Sequence, residues 1–331
     1  MRETLDLLII HVPKFSGYYE PYGEYMTVNL LPMGTLGLAD LADQEGYRTR
    51  ILHLGLQWIE KGDFSPLSYM RGKRVKVIAI PLHWHQQAFH AIEAVREIRK
   101  ERSDGLVVLG GYTASYFHKE ILASHEHIDA VIRGDAETPL LALMKAVNGK
   151  GAMGDVPNLT WRDGKEIREN PVTYVAGERD LDAPSYARVD LLENRETYIG
   201  YVGLPFIWSK RLSKKENKKR FHLGPPIFPL HIGRGCTGNC TWCGGGARAQ
   251  YLVNGRKGVS FRSPERAADT VAEAEASGYE AVHVAFDPGK DGEPFYHELF
   301  PLLRKRGLEM GCYFESFSLP SESLLKAFSK T

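Results

Sequence analysis

His231-Ile232-Gly233-Arg234-Gly235-Cys236-Thr237-Gly238-Asn239-Cys240-Thr241-Trp242-Cys243-Gly244-Gly245-Gly246 opens inside an apolar run, Phe228–Ile232, that reads as a β-strand. Its cysteine spacing is C-x3-C-x2-C. Three thiolates on one tight loop can each ligate one iron of a cubane cluster, which leaves the fourth iron open to a cofactor or substrate. Glycines 235, 238, 244, 245 and 246 let the backbone turn sharply around a bulky group. A loop placed just after a strand lies at the carboxyl-end face of a parallel βα array, where barrels keep their chemistry. The competing reading is structural zinc, with Cys312 or a histidine as fourth ligand. Zinc sites favour paired C-x2-C knuckles and a closed set of four ligands, whereas this loop has an x3 gap and an aromatic residue before its third cysteine. Cys312 falls within a predicted buried strand and reads as a plain core cysteine.

Working outward from the loop, the βα rhythm continues to the C-terminus. Ser263-Pro264-Glu265 opens a helix: serine can cap, proline suits the first helical position, and an acid favours the first turn. That helix is expected to run to about Ser277 and stop at Gly278. Strands are expected at Ala281–Phe286 and Glu309–Phe314, and helices at Pro294–Lys305 and from Ser321 to Phe328. Three such units are fewer than the roughly six to eight that close a barrel, so residues 227–331 are expected to form the first part of one.

Toward the N-terminus, residues 1–150 alternate apolar runs with helical patterns, the signature of a doubly wound parallel sheet of Rossmann-like type. Strands are expected at Leu5–Ile10, Thr49–Leu54, Val75–Ile80, Leu106–Leu109 and Ala130–Ile132. Helices are expected at Met33–Gln44, Ala88–Glu101 and Thr138–Val147. Ligands of such sheets sit at the carboxyl ends of the strands. Residues 151–226 read as a connector. They hold a hairpin turning at Asp163-Gly164 and a lysine-rich run, Ser209–Arg220, read as a solvated loop rather than a polyanion contact.

The whole chain has 42 Lys and Arg against 41 Asp and Glu, so nothing in its net charge points to nucleic acid or an anionic membrane. No apolar run is long enough for a membrane span, and the start lacks a signal-peptide profile. The expected location is cytoplasmic. Three of the four cysteines fall within eight positions, which suits metal or redox chemistry better than a disulfide framework.

The loop resembles that of the radical S-adenosylmethionine (SAM) superfamily, C-x3-C-x-Φ-C, with Trp242 at the aromatic Φ position. The resemblance implies a [4Fe–4S] cluster on Cys236, Cys240 and Cys243, and SAM chelated at the open iron. A one-electron cleavage of SAM would then give a 5′-deoxyadenosyl radical. It further implies Trp242 near the adenine, backbone at Ala285–Asp287 near the methionine amino group, and Glu315 in contact with SAM. An electron donor such as flavodoxin or ferredoxin would supply the cluster. Phe286-Asp287-Pro288-Gly289 departs from the glycine-rich element that the family carries after its second strand.

The N-terminal region resembles the cobalamin-binding subclass of that family. The carriers are Pro32-Met33-Gly34-Thr35-Leu36-Gly37-Leu38-Ala39, Gly110-Gly111-Tyr112-Thr113-Ala114 and Arg133-Gly134-Asp135-Ala136-Glu137-Thr138. Asp135-Ala136 stands where the subclass usually has Glu-Gly. The resemblance puts Gly34, Thr35, Gly110, Gly111, Gly134 and Glu137 at the cobalamin. Glycines after strands let backbone approach a macrocycle or its nucleotide tail, and free N–H groups at a helix start can meet an amide or phosphate; taken singly, the same glycines could simply make tight βα turns. The D-x-H-x-x-G pattern that supplies a histidine to cobalt is absent; the loop Pro81-Leu82-His83-Trp84-His85 could pack beneath the corrin with Trp84 at the cofactor, His83 or His85 could reach cobalt, and Trp84 could equally be domain-interface core. Three functions stay open on sequence: a cobalamin-dependent radical SAM enzyme such as a methyltransferase, a radical SAM enzyme that has lost cobalamin, and a non-catalytic sensor with a structural metal. The substrate is unknown from sequence.

Overall fold

The structure is a computed structural model. It describes residues 3–16, 25–27, 31–62, 65–102, 104–200, 226–284, 292–308, 310–316 and 319–331. The chain divides into two compact units, the first formed by residues 1–174 and 190–223, the second by 175–189 and 224–331.

The first unit is built on a seven-stranded sheet. In chain order its elements begin with β1 (Glu3–His11), the short antiparallel pair β2 (Lys14–Ser16) and β3 (Tyr25–Thr27), α1 (Met33–Gln44) and β4 (Thr49–His53). Next come α2 (Leu54–Lys61), α3 (Pro66–Met70), β5 (Lys73–Pro81), α4 (Ala88–Glu101) and β6 (Leu106–Gly110). After these follow α5 (Tyr112–Tyr116), α6 (His118–Ser124), β7 (Ala130–Ile132), α7 (Glu137–Val147), β8 (Leu159–Asp163) and β9 (Glu166–Glu169). The sheet order is β4-β1-β5-β6-β7-β8-β9. The first five strands are parallel, and β8 and β9 extend the edge antiparallel.

β1 is buried along nearly its whole length, from Leu7 to His11, as a strand covered by helices on both faces must be. One core cluster gathers Leu8, Ile10, Ile78, Ile80, Val107 and Leu109 from the strands with Ala91, Val95 and Ile98 of α4. The 3.6-residue spacing of those three residues gives α4 its apolar stripe. The hairpin β8–β9 turns at Gly164, and Trp161 of β8 pairs with Ala130 of β7. The hairpin thus belongs to the main sheet, and the described residues 151–174 do not stand apart as a connector. Residues 175–189 join the second unit instead, while α9 (Arg195–Ile199) belongs to the first. The lysine-rich run at 209–220 lies outside the described residues.

The second unit holds α8 (Glu178–Asp182), β10 (Ile227–Pro229), β11 (Gly233–Arg234), α10 (Ala247–Asn254), β12 (Ser260–Phe261), α11 (Pro264–Ala276), β13 (Ala281–Val284), α12 (Glu293–Lys305), β14 (Gly311–Phe314) and α13 (Glu322–Phe328). β10, β13 and β14 form a three-stranded parallel sheet in that order. The expected single strand Phe228–Ile232 is instead split. After Leu230 donates its N–H to the His283 carbonyl, the chain leaves this sheet and pairs Gly233–Arg234 antiparallel with Ser260–Phe261. Ser263 caps α11 by accepting from the Arg266 N–H at 3.3 Å, as the sequence predicts. Phe314 packs on Tyr296, Phe300 and Phe328 of the helices. That leaves Tyr313 and His283, which pair across β14 and β13, on the opposite side of the sheet.

Candidate cofactor sites

In the first unit the parallel strands run in the order 2-1-3-4-5, counted along the chain, so the topological switch point lies between β1 and β5. Open α/β sheets bind ligands in the crevice beyond the carboxyl ends at such a point. The loops there are held by specific bonds. Gln87, fully buried, donates Nε2–H to the Val12 carbonyl at 2.8 Å, tying the loop after β5 to the loop after β1.

The next loops are laced to the first. Leu82 N–H donates to Gly110 O at 2.7 Å, Ala114 N–H to Leu82 O at 3.2 Å, and Thr113 Oγ1–H to His83 O at 2.9 Å. Gly111 has φ +95°, and a Cβ there would lie 3.0 Å from the Leu82 carbonyl. Only glycine tolerates both the backbone conformation and the approach. Gly134 N–H then donates to Ser115 Oγ at 2.9 Å, and Ser115 Oγ–H to Gly111 O at 2.8 Å. The loops after β5, β6 and β7 thereby form one hydrogen-bonded ledge.

On this ledge Trp84 is half-buried and His83 exposed, their rings edge to face with centroids 4.8 Å apart. Gly110, Gly111 and Gly134 lie together on it. Glu137 is buried in the first turn of α7, and Gly34 and Thr35 sit in the first turn of α1, whose start has no side-chain cap. Arg133 of the same motif is structural. It reaches Glu169 at 2.6 Å and the Asn158 carbonyl at 3.3 Å, pinning the sheet edge. Sequence reasoning missed Gln87 and Ser115, and also a buried pair, His11 and His53, with ring centroids 4.5 Å apart at the ends of β1 and β4. His53 Nδ1 accepts from the Leu56 N–H at 3.3 Å, which assigns the proton of its neutral ring to Nε2.

The cysteine loop of the second unit is built differently. Gly235 has φ +103°, and a Cβ there would fall 2.2 Å from the Gly258 carbonyl. This glycine serves the close passage of β11 and its loop beside the segment that leads into β12. Beyond it, Gly238 N–H donates to Cys236 Sγ at 3.3 Å and Gly245 N–H to Cys243 Sγ at 3.4 Å. A point one bond above Gly238 is 3.5 Å from Cys236 Sγ and 3.8 Å from Cys240 Sγ. Cys236 is half-buried, while Cys240 and Cys243 are exposed.

Among the described residues no three His, Cys, Asp or Glu side chains are gathered as a ready metal site. The donor set still fits an iron–sulfur cluster, because three sulfur ligands share one turn and backbone N–H groups address two of them. Hydrogen bonds to the sulfurs are among the features that set such a cluster's potential. Cys312 lies on β14 in register with Val282, and burial pushes its thiol up to about 11. A thiol held protonated is a poor ligand.

Trp242 is 88% exposed. Glu315, just after β14, is within 3.2 Å of His283 Nε2. Ala285–Asp287, expected near SAM, lies outside the described residues.

Residues 25–144 match the B12-binding domain family. The match takes in β5, β6, β7 and the whole laced ledge. Over 234 residues the chain is 23% identical to cytidylyl-2-hydroxyethylphosphonate methyltransferase of Streptomyces wedmorensis, covering 64% of this chain and 43% of the relative. Among solved structures it is similar to the radical SAM methyltransferase TsrM of Kitasatospora setae with cobalamin and a [4Fe–4S] cluster bound. That likeness has a TM-score of 0.57 and 16% identity, and covers 92% of this chain and 51% of TsrM. The cobalamin-dependent SAM radical enzyme OxsB, with aqua-cobalamin and SAM bound, matches with a TM-score of 0.61 and 12% identity over 94% of this chain and 38% of OxsB. The likeness is one of fold, and it extends over nearly all of this chain. The chain spans about half the length of these proteins or less. No helix among the described residues is long and apolar enough to cross a membrane.

Proposed function

We propose that this chain carries the cobalamin-binding and cluster-binding parts of a radical SAM enzyme, a methyltransferase in the best-supported reading. The observation that carries it is a single turn with three thiols, two of them addressed by backbone N–H groups, in one chain with a B12-binding domain. The cofactors supply the difficult chemistry: the reduced cluster and SAM a carbon radical, and cobalamin a methyl group.

The chain's own residues bind and orient. Cys236, Cys240 and Cys243 would hold the cluster and leave one iron open. Gly238 and Gly245 would donate to its sulfur ligands, and Trp242 would offer an aromatic face to the adenine. In the first unit the ledge of Gly110, Gly111, Gly134 and Trp84 would meet the corrin, with backbone rather than side chains making the approach. The first turn of α1, with Gly34 and Thr35, would receive polar atoms of the nucleotide tail. Glu137, buried behind the ledge, would support it. The methyltransferase relative and TsrM support methyl transfer as the reaction class.

The test is anaerobic reconstitution with iron and sulfide, then incubation with SAM under reduction, with and without cobalamin. The reading expects 5′-deoxyadenosine from SAM and cobalamin retained through gel filtration. A protein that takes up iron but never cleaves SAM would contradict it. One that cleaves SAM but does not retain cobalamin would limit the reading to the second unit.

A further inference from the structure

α10 begins four residues after Cys243, and none of its residues is buried. Its most exposed face is an unusual one. Arg248, Tyr251 and Leu252, spaced i, i+3 and i+4, stand together on one side of a helix. Leu252 is 68% exposed and Tyr251 52%. A helix normally turns its apolar stripe to the core, and here two apolar side chains point outward. Just beyond the helix, Lys257 stands over the Tyr251 ring with Nζ 5.8 Å from its centroid.

The electrostatics of this segment are one-signed. Between His231 and Pro264 the chain has five Lys and Arg and no Asp or Glu, in a protein whose net charge is +1. Arg256 and Arg262 are held by structural partners. Arg256 bonds the Ala176 carbonyl and Ser260, and Arg262 bonds the His231 carbonyl and Thr270. The exposed pair, Arg248 and Lys257, is in no ion pair among the described residues. An apolar patch flanked by unpaired cations suits an acidic protein surface: the charges steer the encounter, and the aromatic and leucine side chains give it contact area.

We propose that the exposed face of α10, with Lys257, is the docking surface for an acidic protein that donates one electron to the cluster. This inference rests on the cluster assignment above. In the step, the carrier's redox group loses one electron and the cluster gains it; no bond forms or breaks in this chain. Weak electron-transfer encounters bury small interfaces, and a patch of this size next to the thiols answers that need.

The experiment uses the reconstituted chain, with cluster reduction followed by visible absorbance in a stopped-flow instrument. One reductant is a reduced, acidic flavodoxin and the other is dithionite. For Arg248→Glu/Lys257→Glu the rate with flavodoxin is expected to fall at least tenfold and to lose its dependence on salt, while the dithionite rate stays within twofold. Leu252→Ser/Tyr251→Ala is expected to slow flavodoxin severalfold at every salt concentration. Matched iron content and circular dichroism keep misfolding from imitating either effect. Equal flavodoxin rates in all variants would overturn the docking surface alone. Equal losses with both reductants would do so as well, because they would mean that the side chains act on the cluster itself. A wild-type chain that takes up no iron would overturn the cluster reading beneath it.

Discussion

The two candidate sites are made in opposite ways. On the first unit's ledge, buried residues and backbone hydrogen bonds set the geometry, through Gln87 to Val12, Thr113 to His83, and Gly134 through Ser115 to Gly111. On the second unit, the thiols lie on an exposed turn whose two anchors are the Gly235 passage and the start of α10. In the proposed reading, a large, weakly charged macrocycle would be met by a surface already in place, whereas a cluster would be assembled with its ligands, so that its binding energy can organise the turn. The ledge should therefore keep its form empty, and the turn should tighten on loading.

The largest effect that could break this contrast comes from the thiols. Cys240→Ala is expected to abolish iron and sulfide uptake, while retention of cobalamin stays near that of the parent chain. Iron analysis and the visible spectrum of cobalamin check the two halves separately. Loss of both would mean that the sites are not independent.

Next in size is Gly235→Ala. The added methyl would meet the Gly258 carbonyl at 2.2 Å with φ at +103°, so a loss of about 3 kcal/mol or more in stability is expected. Thermal unfolding would show it, and an unchanged midpoint would contradict the close passage. Gln87→Leu should cost about 1–3 kcal/mol by leaving the buried Val12 carbonyl unsatisfied. It should also weaken cobalamin retention with no change in iron content.

The smallest effect concerns pH. His231 packs on Tyr186 with ring centroids 4.5 Å apart, and its Nδ1 is buried. Burial, then the charges of Arg234, Arg262 and Arg256, hold its pKa well below the usual imidazole value of 6.5. The unfolded chain takes up this proton first, so the neutral ring favours the folded state above pH 6.5. That advantage is lost progressively as pH falls from there toward the folded pKa. Unfolding midpoints between pH 7 and pH 5 should fall less steeply in His231→Phe than in the parent. Parallel slopes would contradict the assignment.

Local signals carried much of this into the sequence. Ala88–Glu101 and Met33–Gln44 have the helical bounds that their periodicity predicts, and Ala130–Ile132 is the strand that its apolar run predicts. The Asp163-Gly164 hairpin is present because its turn chemistry is local. The partner of that hairpin is not local, so its membership of the main sheet could not be read. The same holds for Gln87, whose buried role depends on Val12, 75 positions away. Gly235 was legible as a glycine that a turn needs, but its actual constraint is the Gly258 carbonyl, which only the pairing of β11 with β12 brings near. The cysteine spacing pointed to candidate ligands, yet spacing cannot say which N–H groups address the sulfurs.

The function proposed for the second unit turns on one iron staying open. Electron paramagnetic resonance of the reduced, reconstituted chain, recorded before and after adding SAM, tests this most directly. The account predicts a reduced cubane signal whose g-values shift when SAM is added, and which disappears in Cys240→Ala. A signal indifferent to SAM, or purified protein holding zinc in place of iron, would contradict it.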